Sequence, residues 1–162
     1  MQITPAEALW FLPFVTPICF YVAWTDMKMM KITNQAVVAL FLVFVVIGPL
    51  ALPFEAYLWR YLHLVVILII GILLNAVGAV GAGDAKFAAA AAPFIVLGDF
   101  TQLTMIFATT LLAAWVTHRL AKHSPVRKLV PNWESWSRKK DFPMGLALGG
   151  TLALYLLFGA IG

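Results

Sequence analysis

Residues 58–80 read LWRYLHLVVILIIGILLNAVGAV, and Arg60 is the only charged residue in this run. An α-helix rises about 1.5 Å per residue, so about 20 such residues cross the ~30 Å hydrocarbon core of a bilayer. Backbone polar groups find no water at that depth, and a helix satisfies its own hydrogen bonds. This stretch therefore predicts a transmembrane helix.

The composition extends this prediction to the whole chain of 162 residues. The chain is 63% hydrophobic and 11% charged, with a mean hydropathy of +0.95, whereas soluble domains are about 45–50% apolar and about 25% charged. These values exclude a soluble globular domain, a disordered chain, a collagen and a coiled coil. The length predicts one integral-membrane domain over residues 1–162. Cys19 is the single cysteine, which excludes an internal disulfide and a multi-cysteine zinc site.

Apolar runs recur six times, which predicts an all-α, polytopic membrane protein with six transmembrane helices. The runs cover residues 8–24, 35–52, 58–80, 85–97, 103–117 and 143–161. The fourth run is short and rich in alanine. Three histidines, His63, His118 and His123, are dispersed among these segments, so we expect neither a metal site nor a cofactor.

The basic residues predict the orientation of the helices. Ten of the eleven Lys and Arg fall in segments 25–34, 81–86 and 118–142, and only Arg60 lies on the opposite side. Lys and Arg accumulate in cytoplasmic loops, so we expect a protein of the cytoplasmic (inner) membrane with both termini extracytoplasmic. Merging the fourth and fifth runs would move the long basic loop outside, so the charges favour six crossings.

The basic loop, residues 118–142, is the largest polar segment. Its basic residues are interleaved with Trp133 and Trp136, which suits a segment lying against anionic lipid. No nucleic-acid recognition motif accompanies the charge. We therefore expect lipid as a partner and no nucleic acid, and expect Glu134 and Asp141 to pair with bases of the loop.

Two aspartates lie where apolar runs meet the predicted cytoplasmic side. Asp26 follows the first run and Asp84 follows the third, so two crossings separate them and both emerge on the same face. Two neighbouring carboxyl groups can share one proton, because like charges ~3 Å apart do not both ionise readily. Such a pair supplies a base to activate water and an acid to protonate a leaving group. The topology predicts that both carboxyls border one hydrated pocket.

Glycines surround the second aspartate, at Gly78, Gly81 and Gly83. Glycine permits close approach of a backbone or a ligand, which an extended substrate would need in order to reach the carboxyl. A glycine-rich turn with Asp84 capping the next helix is an equally good local interpretation. Asp99, at an extracytoplasmic turn, suggests no special role, and Asn75 is expected to make an interhelical hydrogen bond.

Three segments together resemble the motifs of type IV prepilin peptidases. Residues 26–34, DMKMMKITN, resemble D-x-[RK]-x-x-[RK]-I-P-N, and residues 81–86, GAGDAK, resemble G-x-G-D-x-K. Residues 142–145, FPMG, resemble the Pro-aromatic-Gly signature near the last helix. Thr33 stands where proline is usual, and Met144 replaces the aromatic residue.

The resemblance implies a membrane-embedded aspartic endopeptidase that removes the basic leader from type IV pilin-like precursors at the cytoplasmic face. Asp26 and Asp84 would be the catalytic pair that polarises water. The other motif positions would support them: Gly81, Gly83, Lys86, Lys28, Asn34, Pro143 and Gly145. The short chain lacks a cysteine-rich insertion, so it is similar to the peptidases of tight-adherence (Flp, type IVb) systems and no methyltransferase activity is expected.

Several alternatives stay open at this stage. Lys28 and Lys86 either lower the pKa of a nearby carboxyl or extend to the interface and fix the topology. An archaeal-type preflagellin peptidase would share both aspartate motifs. A proton-coupled carrier would place acids near mid-membrane and show internal symmetry, and a non-catalytic secretion subunit would not need Asp26 or Asp84. The sequence leaves the oligomeric state open, although a monomer suffices for the chemistry.

Overall fold

The structure is a computed structural model that describes residues 1–138 and 141–162. Lys139 and Lys140 of the basic loop lie outside the described residues. The described chain contains six α-helices and no β-strand, which confirms the all-α prediction. The helices are α1 (Pro5–Met29), α2 (Asn34–Ala51), α3 (Phe54–Ala76), α4 (Ala82–Ala91), α5 (Phe100–Lys122) and α6 (Met144–Ile161).

Five of these helices, all except α4, are long and apolar enough to cross a membrane. Helix α4 has ten residues, or about 15 Å, which is half of the hydrocarbon thickness. It ends where it does because Pro93 lacks the N–H that would continue the helical ladder. Two short 3-10 turns, Ala92–Phe94 and Leu97–Asp99, carry the chain onward to α5. The predicted fourth span, residues 85–97, is therefore a short helix followed by turns.

Helix α1 extends further at both ends than its apolar run. It begins at Pro5, where the Thr4 hydroxyl accepts a hydrogen bond from the Glu7 N–H at 3.3 Å. It ends after Met29, because Met30 adopts a left-handed conformation with φ of 51°. Polar residues past the apolar run thus continue the helix, and Asp26 lies inside its last turns and not in a loop beyond it.

Helix α1 packs along α6 and α2 and forms the centre of the bundle. A methyl group on Gly149 of α6 would lie 2.8 Å from the backbone oxygen of Cys19, so the two helices approach at van der Waals distance through glycine. Phe11, Phe44 and Phe94 join α1, α2 and the chain after α4, with ring centroids 5.0–6.0 Å apart.

The bundle has two dissimilar ends, which we name by their contents. At the terminal end, Ile3 contacts the last turns of α6, where a methyl group on Gly159 would lie 2.6 Å from Ile3 Cγ2. Both chain termini therefore lie together. At the cavity end, the end of α1 and the starts of α2, α4 and α6 surround an open space. Which side of the membrane each end faces stays a prediction from the charges.

Asp99 connects several chain segments at the terminal end through hydrogen bonds. Its carboxylate is fully buried and accepts hydrogen bonds from the backbone N–H groups of Gln2 (2.5 Å) and Ile3 (2.9 Å) and from the Tyr155 hydroxyl (2.9 Å). The expectation that Asp99 has no special role is wrong, because this carboxylate connects the N-terminus, α6 and the turn before α5. Arg60 adds a contact between α1 and the same turn region, with Glu7 at 3.9 Å and the Pro93 carbonyl at 3.2 Å.

Candidate active site

The first carboxyl group, Asp26, lies where the end of α1, the segment that follows it and the start of α6 meet. It is 5% exposed, and its Oδ2 accepts a hydrogen bond from the Gly145 N–H at 2.6 Å. The left-handed Met30 turns the chain sharply after α1, and Thr33 caps α2 by accepting from the Ala36 N–H at 3.3 Å. The first motif therefore folds back beside Asp26.

Gly145 is required by the close contact with Asp26. A methyl group at Gly145 would lie 2.8 Å from Asp26 Cβ and 3.0 Å from Oδ2, closer than side chains tolerate. Its N–H is one of the free donors in the first turn of α6, where the helix dipole also favours a negative charge. Buried Pro143 begins that helix. The third motif thus supplies the hydrogen bond to the first aspartate.

The second carboxyl group, Asp84, lies in the first turn of α4 and is partly buried. Its side chain turns back toward Gly81, where a methyl group would lie 2.7 Å from Oδ2. A methyl group at Gly83 would lie 3.3 Å from Ile32 Cβ, so α4 begins directly against the segment that follows Met30. The glycines therefore allow both aspartate motifs to pack closely together.

Asp26 and Asp84 border the same cavity, which has a volume of about 1080 Å³. Segments from α1, α3, α4, α6 and the basic loop contribute to its walls, and Arg138 and Asp141 lie at its edge. The two aspartates are 58 positions apart in the sequence, so this shared space arises from the fold. The arrangement provides two carboxyl groups and room for a peptide segment, since small-molecule sites occupy ~300–1,000 Å³.

Asp84 lies outside the five spanning helices, and its surroundings change its acidity. Burial raises the pKa of its carboxyl, the charge of Asp26 raises it further, and the Gly81 N–H opposes both, which gives a pKa of about 6. The repulsion from Asp26 favours the protonated form of Asp84. With a pKa of about 6, the Asp84 carboxyl can gain or lose a proton at near-neutral pH.

The two motif lysines have different surroundings. Lys86 donates a hydrogen bond to the Asn34 side-chain oxygen at 3.1 Å and thereby links α4 to the start of α2. Lys28 lies over the Trp24 ring, 4.9 Å from its centroid, a cation–π contact near the membrane interface. Within the described residues, neither lysine forms an ion pair with an aspartate of the cavity.

An aromatic cluster missed by the sequence analysis positions the basic loop. His118 of α5 stacks on Trp136 with centroids 5.1 Å apart, and the ring of Phe142 meets it edge-on at 5.8 Å. Trp136 is 4% exposed and donates to the Val130 carbonyl at 2.8 Å. The prediction of Trp136 at the lipid interface is therefore wrong. Because Phe142 lines the cavity and leads into Pro143, the cluster sets where α6 begins.

Arg138 pairs with both acids of the basic loop, as expected. It lies 3.8 Å from Glu134 and 3.4 Å from Asp141, and all three side chains are about half exposed. Such surface pairs contribute at most about 1 kcal/mol. Asn75 differs from expectation, since its amide donates to the nearby Val80 carbonyl at 2.8 Å and shapes the loop before α4. Among the residues that the structure describes, no group of three or more His, Cys, Asp or Glu could hold a metal ion.

Comparison with known proteins adds one finding to this geometry. Residues 14–118 match the model of the type IV leader peptidase family. That match contains both aspartate motifs and covers more than half of the chain, whereas residues 142–145 lie outside it. No curated protein and no solved structure matches the chain. The chain therefore belongs to the type IV leader peptidase family, and it is a peptidase by that membership.

Proposed function

We propose that this protein is a membrane-embedded aspartic endopeptidase that removes the basic leader from type IV pilin-like precursors. The observation that carries the proposal is the shared cavity, in which Asp26 and Asp84 come from α1 and α4. Family membership supports peptide-bond hydrolysis in general. The aspartic mechanism and the choice of precursor go beyond that membership.

The reaction needs one proton shared by the two carboxyls. The ionised carboxylate accepts a proton from water as the water oxygen bonds to the scissile carbonyl carbon. The protonated carboxyl stabilises the developing oxyanion, and a proton then passes to the amide nitrogen as the C–N bond breaks. The products are a free carboxyl on the leader and a free amine on the mature protein, and the pair again holds one proton. A pKa of about 6 at Asp84 suits this exchange near neutral pH.

Two finer assignments complete the proposal. With one cysteine in 162 residues, the chain has no cysteine-rich insertion, so we assign it to the short, Flp-like form without methyltransferase activity. We further propose that the cavity end faces the cytoplasm at the inner membrane, and the excess of Lys and Arg at that end supports this orientation. A monomer is sufficient, since both carboxyls come from one chain.

Co-expression with a Flp-like precursor tests the proposal. Asp26→Asn and Asp84→Asn keep the side-chain shape and remove the titrating group, so each should abolish the gel shift produced by leader loss. Glu55→Gln is the matched control, because Glu55 is an exposed acid at the start of α3. Normal processing by either aspartate variant, with membrane insertion verified, would contradict the proposal. Replacing the pilin precursor by an archaeal preflagellin distinguishes the two substrate classes.

A further inference from the structure

His118 is a buried residue near the end of α5 that the proposed reaction does not use. It is 8% exposed. The buried residues of α5 are Ile106, Ala114 and His118, and because they are four or eight positions apart they share one face of the helix. Histidine is unusual on such a face, since its ring nitrogens need hydrogen-bond partners when they are buried. Its presence there needs a physical explanation.

The ring nitrogens of His118 do not supply that explanation. Nε2 is enclosed by the protein, and no described residue forms a hydrogen bond with it. His118 is also not one of the residues that line the aspartate cavity. A general acid or base must come within hydrogen-bond distance of the reacting atoms, directly or through one water. The position of His118 therefore argues against an acid–base role.

The aromatic contacts of His118 give a different explanation. Its ring stacks on Trp136 with 14° between the ring planes and centroids 5.1 Å apart, and it meets Phe142 at 87° and 5.8 Å. Trp133 stacks in turn on Trp136, with centroids 5.9 Å apart. Aromatic pairs favour these stacked and edge-on arrangements at centroid distances of about 4.5–7 Å. His118 thus connects the basic loop to the residue that comes just before α6.

The turn that carries Trp136 is fixed by contacts of its own. This short 3-10 turn, Glu134–Trp136, packs against α1, the helix that carries Asp26. Ser135 within the turn is fully buried, and the Trp136 indole N–H donates to the Val130 carbonyl at 2.8 Å. The indole ring is therefore a well-packed support for the histidine ring.

The other contact of His118, with Phe142, leads directly to the first aspartate. Phe142 is followed by Pro143, whose ring restricts its backbone φ, here −69°. Two positions later, the Gly145 N–H donates to Asp26 Oδ2 at 2.6 Å. With so short and restricted a connection, a shift of the Phe142 ring would also move the Gly145 N–H and the carboxyl that it binds.

We infer that His118 is a positioning residue for the first aspartate. Its ring, in contact with both Trp136 and Phe142, sets the start of α6 and thereby places the Gly145 N–H against Asp26. The inference rests on the proposed function, because it gives His118 a part in the reaction of that carboxyl. The role requires a flat ring and not a titrating nitrogen, so another aromatic side chain should replace it.

Cleavage of a Flp-like precursor by His118→Phe and His118→Ala tests the inference. The phenylalanine ring keeps both aromatic contacts and removes an unpaired buried nitrogen, so kcat should stay within about twofold of the parent, with thermal unfolding no earlier. The alanine variant loses both contacts. Its kcat should fall about tenfold with KM within about twofold, since a displacement of about 1 Å can cost ~10²-fold in rate. His123→Ala, at an exposed histidine five positions later, is the control and keeps the parent rate.

His118→Leu fills the space without a planar ring, and the same fall in kcat is expected from it if the alanine variant does not insert. A double variant with Gly145→Ala identifies the route, because His118→Ala should lower kcat less than about twofold once Gly145 is changed. Multiplied losses in the double variant overturn the positioning role. A parent that cleaves no precursor contradicts the proposed function itself, whereas a cleaving parent with equal losses in His118→Phe and His118→Ala overturns the positioning role alone.

Discussion

The two ends of the bundle use aspartate in opposite ways. At the terminal end, Asp99 is fully buried and accepts three hydrogen bonds, two from N–H groups and one from Tyr155. At the cavity end, Asp26 has one described donor, Gly145, and faces a large open space together with Asp84. A carboxylate can accept about four hydrogen bonds. Asp99 uses three of these four sites within the protein, whereas the cavity pair retains more capacity for water and substrate.

The packing around each end follows the same division. Phe11, Phe44 and Phe94 fill the region of the bundle nearer Asp99 with mutually contacting rings. Glycines 81, 83 and 145 surround the cavity aspartates instead. Aromatic packing and saturated polar groups favour one rigid arrangement, while glycine leaves access to a backbone. The number of hydrogen-bond donors and the access to the carboxyl group, not the residue type, therefore distinguish a structural aspartate from a candidate catalytic one.

The largest effect on catalysis by a non-acidic residue should come from Gly145→Ala. The added methyl group would lie 2.8 Å from Asp26 Cβ and displace the carboxyl, and a displacement of about 1 Å can cost ~10²-fold in rate. We expect leader-cleavage kcat to fall by about that factor. Gly150→Ala on the same helix is the control, because its methyl group meets Thr110, away from the aspartates. Equal activity of the two variants would refute the positioning role of Gly145.

Asp99→Asn should destabilise the protein without removing its chemistry. An amide presents an NH₂ group where the carboxylate accepted an N–H, and a buried unsatisfied donor costs about 1–3 kcal/mol. Thermal unfolding in detergent should begin at lower temperature, while cleavage per folded molecule stays within about twofold of the parent. Loss of cleavage in fully folded Asp99→Asn would show that the terminal end takes part in catalysis and would contradict a purely structural role for Asp99.

Asp84→Asn should stabilise the protein in a pH-dependent manner. Because the folded-state pKa is raised from 3.8 to about 6, the folded protein binds more protons than the unfolded chain between these values. The stability of the parent therefore falls as pH rises through this range and stays lower above it. The melting temperature of Asp84→Asn should exceed that of the parent at pH 7.5, with the difference vanishing near pH 4. A difference that is constant with pH would contradict the raised pKa.

The smallest effect is expected from the link between α4 and α2. Lys86→Met and Asn34→Ala each remove the 3.1 Å hydrogen bond between these side chains, which is worth about 0.5–1.5 kcal/mol. We expect each variant to lower cleavage a few-fold, and the double variant to lower it no further. Multiplicative losses in the double variant would show that the two residues act separately.

Hydropathy and charge predict the large features of this fold, because they indicate whether each segment lies in lipid or in water. The six helices follow from the apolar runs, although α4 is too short to cross the membrane, and the cavity that Asp26 and Asp84 both border agrees with the parity of crossings. The end of α4 at Ala91 is a local effect of Pro93, but the apolar run continues beyond it, so hydropathy alone predicts a longer helix. Contacts made at long range, such as Asp99 with Ile3, leave no local pattern. Trp136 likewise resembles an interfacial residue until His118 is known to stack on it.

The third motif matches the family signature only in part, yet the structure gives it a direct contact with Asp26. Met144 departs from the aromatic residue of the family signature, yet the adjacent Gly145 donates directly to Asp26. The sequence indicated that this position supports the site, but the hydrogen bond requires knowledge of how α6 begins. Lys28 is the opposite case, since its motif position places it over Trp24.

The most direct test of the account measures cleavage rates for the parent, Asp26→Asn, Asp84→Asn and the double variant under single-turnover conditions. Carboxyls that act as one unit lose nearly all activity when either is removed, and removal of both adds little. The account predicts that all three variants share the same residual rate, at least ~10³-fold below the parent. A single variant that retains a tenth of the parent rate, or a double variant that loses the product of two modest effects, would contradict it.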